Sequence, residues 1–418
     1  MKRLLFLFSL VAASCLLWSN CGSSNSTTTV SSTTGIKHRA FVSQDVTAGS
    51  VFAGLRVINV DTDVMPSQIT IAPSTTFWAP KFMVLTPNRA HTVISSSLGT
   101  AFPPNALYVV NNVNETAGPP ISLPGPSDSV VVSPDSSAAY AAVPTAPEQI
   151  GSSLGAVEVV SLAAEAVIAE VDIPSVRHLA IGNTGNRVLG FSDSSNQIAV
   201  ITPSNIGTGN PVVTLVGGFD RPFFAYFSTD DSTAYVVNCG GGCIGGTQAS
   251  VQKLDLTTNT PGAPVAVPAA DGVFVNGTTM YVAGTPVPAV SCTIQGASAN
   301  CGQLTTFDLT NMQVVGSPVL VTDGTHSRIA LGANGQLFVG ARTCTAPACL
   351  SIYNLATGAV VFPAAPGDVT GIQAISTRPV VYVVQGGELV IYDAATGQPQ
   401  EKQIDISGDA TDVVTVDN

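Results

Sequence analysis

The sequence repeats one unit along most of its length. Each unit has four short apolar runs, and the turns between them are rich in Pro, Asn, Asp and Gly, which supply the φ angles and local hydrogen bonds that tight turns need. The second run of each unit aligns most clearly. Eight copies of it begin at Ala40, Thr92, Ala139, Val188, Ala234, Met280, Leu337 and Val381. Each unit therefore predicts a four-stranded antiparallel meander.

Composition agrees with an all-β chain. The 418 residues include 39 Gly and 28 Pro, and only 10% are charged, which is typical of short apolar strands joined by tight turns. A repeat of about 41 to 55 residues suits one blade of a β-propeller. Eight units predict eight blades. Seven is the alternative, because Asn105 to Leu123 is irregular and Pro-rich.

The two ends of the repeat are complementary. First runs begin near Lys81, Ser129, Arg177, Arg221, Gly272, His326, Thr370 and Thr411. Nothing follows the last of them, Val413 to Val416, whereas the unit at Ala40 lacks a first run. We therefore expect the C-terminal strand to pair into the N-terminal blade, which hides the sheet edges of the ring and protects them from aggregation.

The third runs carry a second signature, an Asp or Asn followed within a few residues by Thr or Gly. It occurs at Ile58-Asn59-Val60-Asp61, Lys253-Leu254-Asp255-Leu256, Thr306-Phe307-Asp308-Leu309, Ile352-Tyr353-Asn354-Leu355 and Ile391-Tyr392-Asp393-Ala394. The whole pattern resembles bacterial YVTN-type β-propeller repeats, most visibly at Ser228 to Asn238 and Leu389 to Gly397. The resemblance covers nearly all of residues 38 to 418. It implies the fold and leaves the activity open, because propellers host many unrelated functions.

The first twenty residues predict a secretory signal peptide. Lys2 and Arg3 precede an apolar run, Leu4 to Leu17, that is too short to span a bilayer comfortably. We expect residues 1–20 to be removed on export, residues 21–36 to form an anchor and tether, and residues 37–418 to form a single propeller domain.

Cys21 and the Ser/Thr-rich segment after it resemble a bacterial lipoprotein, in which a lipidated cysteine and a flexible tether hold the domain at a membrane. Two alternatives remain: lipidation at Cys15, which follows the small residues Ala12-Ala13-Ser14, and an ordinary cleaved signal without lipid. The expected location is the bacterial cell envelope, with the lipid as the only membrane contact.

Six cysteines follow the signal as three close pairs, Cys239 with Cys243, Cys292 with Cys301, and Cys344 with Cys349. Each pair brackets the loop between the second and third strands of successive repeats. In an oxidising compartment this placement predicts three local disulfides. A zinc site is the rival interpretation, but the histidines lie elsewhere and no Cys-x-x-Cys pair occurs, so we expect no metal and no cofactor.

The formal net charge of −12 argues against nucleic acid as a partner, because phosphate backbones are bound by clustered Lys and Arg. Basic residues do recur at the starts of the first strands. In a propeller these starts lie at one end of the ring, around the central channel, and this end commonly forms a binding site. The residues predicted there are Lys81, Arg177, His178, Arg221, Asp271, His326 and Arg328. Arg and His can recognise an anionic group. The candidate ligand-binding residues are Arg177, His178, Arg221, His326 and Arg328; the alternative is a water-filled funnel whose charges pair with neighbouring Asp.

Two classes of function follow. The favoured one is a lipid-anchored extracytoplasmic module that binds a protein, a glycan or a small anion. The alternative is a propeller enzyme, such as a lactonase-like hydrolase or a quinoprotein-like oxidoreductase. The sequence marks no constellation of general acid and base and no catalytic residue, which favours binding.

We predict that the mature chain begins at an acylated Cys21. Mass spectrometry of the N-terminal peptide from membranes of the native host checks this. A free N-terminus beyond Cys21 would contradict the lipoprotein assignment, and acylation at Cys15 would move the anchor.

Overall fold

A computed structural model describes residues 35–45, 53–72, 78–97, 104–147, 153–193, 195–292, 300–400, 404–406 and 409–417. The predicted signal peptide, Cys21 and most of the tether lie outside these residues. Within them, small antiparallel sheets form the eight blades of a β-propeller, which confirms the predicted fold and blade number. No helix in this part of the chain is long and apolar enough to cross a membrane.

The strands follow one another in chain order. They are β1 (Arg39–Asp45), β2 (Ala53–Asn59), β3 (Val64–Ala72), β4 (Pro80–Leu85), β5 (His91–Ser97), β6 (Asn105–Asn111), β7 (Thr116–Ala117), β8 (Ile121–Ser122), β9 (Ser129–Val132), β10 (Ala138–Pro147), β11 (Leu154–Ser161), β12 (Ala166–Asp172), β13 (Val176–Ile181), β14 (Val188–Ser192), β15 (Gln197–Ile201), β16 (Val213–Gly217), β17 (Pro222–Phe227), β18 (Thr233–Asn238), β19 (Ser250–Asp255), β20 (Thr260–Pro261), β21 (Val265–Ala266), β22 (Gly272–Asn276), β23 (Thr279–Gly284), β24 (Val290–Ser291), β25 (Asn300–Asp308), β26 (Gln313–Thr322), β27 (Thr325–Leu331), β28 (Gln336–Arg342), β29 (Leu350–Asn354), β30 (Val360–Val361), β31 (Val369–Ala374), β32 (Val380–Gln385), β33 (Glu388–Asp393) and β34 (Asp409–Thr415). Short 3-10 turns lie at Pro203–Asn205, Gly240–Gly242 and Ala333–Gly335.

Blade I consists of β34, β1, β2 and β3, and blades II to VIII begin at β4, β9, β13, β17, β22, β27 and β31. The irregular segment that left seven blades as an alternative forms the third strand of blade II, β6, and an outer strand split into β7 and β8. Every second run identified from the sequence lies in the second strand of its blade.

The blades are held together by apolar side chains that project from both faces of each sheet. Among the described residues these side chains form eight core clusters, one between each pair of neighbouring blades. Strand β32 is an example, since all six of its residues are buried. Its side chains alternate between the core shared with blade VII and the core shared with blade I, which explains why Val380 to Val384 are all apolar. Each buried large aliphatic or aromatic side chain contributes roughly 1.5 to 3 kcal/mol.

The Asp or Asn that closes the third strands caps the turn to the fourth strand. The side-chain oxygen of Asp393 accepts hydrogen bonds from the backbone N–H groups of Ala395 (2.9 Å) and Thr396 (2.8 Å). Asn111, Asp255, Asp308 and Asn354 make the same pair of bonds in their own blades. These Asx turns give the repeated sequence signature a structural cause.

The ring closes between the two ends of the described chain. Strand β34 pairs antiparallel with β1, with Phe41 opposite Val414 and Val42 opposite Val413, and the N–H of Val416 donates to the carbonyl of Arg39 at 3.0 Å. The predicted closure is therefore confirmed.

A fully buried arginine reinforces this closure. The guanidinium of Arg39 binds both carboxylate oxygens of Asp417, Nε to Oδ2 at 2.7 Å and Nη2 to Oδ1 at 2.8 Å. Its Nη1 donates to the carbonyl of Asn112 at 2.7 Å and to Glu115 Oε1 at 2.8 Å, both in blade II. One side chain thus joins the first strand, the last strand and the next blade.

Two carboxyl groups face each other within blade III, and one of them is buried. Glu158 on β11 lies opposite Glu170 on β12, is only 2% exposed, and has an Oε1 atom without a hydrogen-bond partner. Burial, then the charge of Glu170, raise the pKa of Glu158 to about 7. The folded state therefore holds a proton here that the unfolded chain releases at lower pH.

We expect removal of residues 409–418 to lower the midpoint of thermal unfolding by about 10 °C or more, because it strips β34, exposes the edge of β1 and leaves Arg39 buried without Asp417. Removal of residues 22–34, which precede the first strand, is the control and should change the midpoint little. Differential scanning calorimetry on both truncations measures this. Equal midpoints would contradict the importance of closure.

We expect Glu158→Gln to stabilise the protein at pH 8 by several degrees and to have little effect near pH 4.5. A carboxyl whose pKa is raised on folding contributes stability below its unfolded pKa and loses it as the pH rises through about 7, whereas Gln cannot ionise. Thermal midpoints across this pH range check the prediction, with exposed Glu388→Gln as the control. A destabilised variant at pH 8 would contradict it.

Candidate functional site

The candidate site lies where the first strands begin and where the loops between second and third strands emerge; we call this end of the ring the channel mouth. A cavity of about 730 Å³ opens here. Its lining comes from six blades, I to IV, VII and VIII, so it lies on the axis of the ring. The basic side chains that line it are Lys81, Arg177, His178, Arg328 and Arg342.

One carboxylate organises the side of the mouth formed by blades II to IV. Asp128 accepts Lys81 Nζ at 3.0 Å through Oδ1 and Arg177 Nη1 at 2.7 Å through Oδ2. The Nε of Arg177 also contacts Asp193 Oδ2, at 2.5 Å. These side chains are partly exposed, so the pairs orient the cations more than they stabilise the fold.

Arg328 connects four blades on the other side. Its Nε donates to the carbonyl of Thr370 in blade VIII at 2.7 Å, and its Nη2 lies 3.3 Å from Asp412 Oδ2 in blade I. The same Asp412 oxygen accepts the N–H of Met83 in blade II at 2.8 Å. Burial raises the pKa of Asp412, and the nearby Arg328 opposes that change.

Arg342, at the end of β28, differs from the other cations at the mouth. Its Nε is buried and has no hydrogen-bond partner, and its guanidinium forms no hydrogen bond or ion pair with any residue that the structure describes. Burial and the charge of Arg328 lower its pKa, while Asp412 and Asp368 act in the opposite direction. Buried polar groups are normally hydrogen-bonded, so this guanidinium has unused capacity to bind an anion.

The surroundings of His178 favour its uncharged form. Burial lowers its pKa from the ordinary value of 6.5, and its ring lies edge-on to Phe223, with centroids 6.5 Å apart. It therefore lines the mouth as an uncharged ring, and protonation adds a positive charge only at lower pH.

Two predicted site residues do not reach this cavity. His326 is fully buried, with Nδ1 3.0 Å from Asp271 Oδ1 and Nε2 2.7 Å from the carbonyl of Thr322. Arg221 lines a separate pocket between blades IV and V. The structure therefore brings together Arg177, His178 and Arg328 from the predicted set, together with Lys81.

Sequence reasoning missed Arg342 and Asp128. Arg342 ends a second strand, whereas the predicted site residues all stand at the starts of first strands, although both positions face the same end of the ring. The signal was its position two residues before Cys344, at the start of a disulfide-closed loop. Asp128 stands immediately before β9 and was hidden in a Pro- and Ser-rich segment.

The three predicted disulfides are present. They join Cys239 to Cys243, Cys292 to Cys301 and Cys344 to Cys349, with Cα–Cα distances of 5.7, 4.8 and 5.7 Å. They lie between the second and third strands of blades V, VI and VII, at the channel mouth, except that Cys301 is the second residue of β25, the third strand of blade VI. Such bonds are typical of an oxidising, extracytoplasmic location. The described residues contain no group of three or more His, Cys, Asp or Glu side chains able to hold a metal ion.

Comparisons with known proteins identify the fold. No family model matches the sequence, and no curated protein matches it. Among solved structures, the chain is similar to the dihydro-haem d1 dehydrogenase NirN, with a TM-score of 0.64 and 11% identity over 90% of this chain and 75% of that one. It is also similar to Kuenenia stuttgartiensis hydrazine synthase, with a TM-score of 0.56 and 14% identity over 76% of this chain and 96% of that one.

A third similar structure is a putative 6-phosphogluconolactonase from Bacteroides fragilis NCTC 9343. The TM-score is 0.51 and the identity 13%, over 92% of this chain and 99% of that one. At such low identities these similarities support the propeller architecture and carry no information on activity.

Proposed function

We propose that this protein is an exported, lipid-anchored binding module whose channel mouth holds a small anionic ligand, with Arg342 as the principal contact. The observation that carries the proposal is the half-buried Arg342, whose guanidinium has no described hydrogen-bond or ion-pair partner and whose Nε is buried, beside a second cation, Arg328. An anion in the cavity would supply the partner that this guanidinium lacks, through charge-assisted hydrogen bonds.

The other cations at the mouth already have acidic partners, which distinguishes them from Arg342. Lys81, Arg177 and Arg328 are each held by a carboxylate, so their charges are largely compensated inside the protein. Arg342 is left as the uncompensated charge of the cavity lining. In a chain with a net charge of −12, a local cation of this kind provides selectivity for an anion over a neutral ligand.

The size of the cavity narrows the ligand class. A volume of about 730 Å³ lies within the usual range of small-molecule sites and accommodates a sugar acid or sugar phosphate with its water. The lining also offers Ser129, Ser327, Thr370 and Thr411, which have hydroxyl groups suited to ligand hydroxyls.

Catalysis is the second candidate and has less support. The solved structures most informative about the fold include proteins named as enzymes, but they are similar to this chain at 11 to 14% identity. In the described lining of the mouth, His178 makes no side-chain hydrogen bond, and Asp128 is committed to Lys81 and Arg177. A general acid–base pair needs hydrogen-bonded partners within reach of a substrate.

We expect Arg342→Gln to weaken binding of glucose 6-phosphate by roughly ten-fold or more, because a charge-assisted hydrogen bond contributes about 1.5 to 3 kcal/mol. Isothermal titration with glucose 6-phosphate, gluconate and inorganic phosphate measures the affinities. The same variant should unfold at an unchanged or higher temperature, since it removes a charge without a described partner.

Arg187→Gln is the matched control, because Arg187 lies in the turn between β13 and β14 at the opposite end of the ring. It should leave the affinities unchanged. Equal binding by wild type and Arg342→Gln, or a strongly destabilised Arg342→Gln variant, would contradict a ligand-binding role for Arg342 and favour a solvated funnel.

A further inference from the structure

A second pocket lies beside the channel mouth, between blades IV and V. We infer that it binds a small aromatic carboxylate, with Arg221 holding the carboxylate and aromatic side chains holding the ring. The pocket has a volume of about 300 Å³, at the lower end of the range for small-molecule sites. The pocket is separate from the cavity at the mouth, although His178 lines both.

Arg221 supplies the charge. Its guanidinium makes no hydrogen bond or ion pair with the described residues, and its Nε is buried without a partner. The side chain passes close to the backbone of the next loop: a methyl group on Gly245 would lie 2.5 Å from Arg221 Nη2. Glycine at this position therefore leaves the guanidinium the room it occupies, and the planar fork suits a carboxylate.

The remaining walls are largely apolar. Phe223, at the start of β17, lines the pocket together with Ile244, which is 91% exposed in the loop after Cys243. Phe191, at the end of β14, also lines the pocket but is only 1% exposed and packs in the core between blades IV and V. The neutral ring of His178 stands edge-on to Phe223. Rings in this arrangement stack with, or contact edgewise, a further aromatic ring.

A carboxylate also lines the pocket and must be compatible with an anionic ligand. Asp193 is already paired with Arg177, with 2.5 Å between Asp193 Oδ2 and Arg177 Nε, on the side that faces the channel mouth. Its charge is therefore compensated from outside the pocket. Arg221, in contrast, makes no hydrogen bond or ion pair with its guanidinium among the described residues. The charge of Asp220 acts on it, but that carboxylate already accepts hydrogen bonds from Thr247 and Gln248, so the guanidinium keeps donors for a ligand.

The roof of the pocket is a disulfide-closed turn. Cys239 and Cys243 bracket the short 3-10 turn Gly240–Gly242, and both sulfur-bearing residues line the cavity. The carbonyl of Arg221 accepts the N–H of Cys239 at 3.0 Å, so the roof and the cation are held in one framework. A small ligand gains affinity when the groups that bind it are fixed in advance.

The experiment compares three ligands that separate charge from ring. Benzoate has both the charge and the ring, benzamide has the ring without the charge, and acetate has the charge without the ring. We expect saturable binding of benzoate, measured by isothermal titration and by ligand-observed NMR, at least ten-fold tighter than that of benzamide or acetate. Arg221→Gln should weaken benzoate binding ten-fold or more, and Arg221→Lys should restore part of it.

Variants at other positions test whether the effect on benzoate binding is specific to this pocket. Arg187→Gln should leave benzoate binding unchanged, and Gly245→Ala, which crowds the guanidinium, should weaken it even though Arg221 is retained. Arg342→Gln should affect glucose 6-phosphate and not benzoate, so failure of the mouth proposal and failure of this one are distinguishable. Absence of saturable benzoate binding, equal affinity for benzamide, or full affinity in Arg221→Gln would overturn the inference.

Discussion

The pairing of β34 with β1 is the constraint on which the rest of the structure depends. A row of four-stranded sheets would leave an apolar face uncovered at each end, and closure packs blade VIII against blade I instead. Arg39 makes the closure selective. A fully buried guanidinium is tolerated only when its donors are satisfied. Asn112 and Glu115 of the neighbouring blade bind one of its nitrogens, and Asp417 reaches the other two only when the ring closes. At the same seam, Arg378 of blade VIII pairs with Asp63 of blade I.

The sequence predicted the elements that depend on local pattern. Second strands, the Asp or Asn signature that ends the third strands, the closing strand and the three cysteine pairs were all found, because each is encoded within a dozen residues or by a mismatch between the ends of the repeat. Once one blade has been recognised, the alternation of its side chains can be applied to the other repeats without information on long-range contacts. Even the irregular blade II was counted correctly, since its second strand retains the apolar run at Thr92 to Ile94.

Side-chain surroundings within the mouth were less predictable. Repeat alignment placed His326 and Arg221 with Arg177, because equivalent positions in a propeller lie at the same end of the ring. Equivalent position does not imply equivalent exposure: His326 is enclosed by Asp271 and the carbonyl of Thr322, whereas Arg221 lies outward in the gap between two blades. Such differences arise from contacts between neighbouring blades, such as that of His326 with Asp271, 55 residues away, which a single sequence leaves undetermined.

The geometry of the mouth connects the rigidity of the ring to the proposed binding site. Arg342 precedes a loop that is fixed on both sides: Thr343 N–H donates to Asp368 Oδ1 at 2.8 Å and Thr345 N–H to Asp323 Oδ1 at 3.0 Å. The bond between Cys344 and Cys349 then closes the same loop. Because the backbone around the guanidinium is already ordered, an anion that binds there does not have to order the loop that presents it, and more of the interaction free energy remains as affinity. The short disulfide loops add little to global stability, since the entropic gain grows with loop length, so their placement at the mouth is better explained by this local fixation.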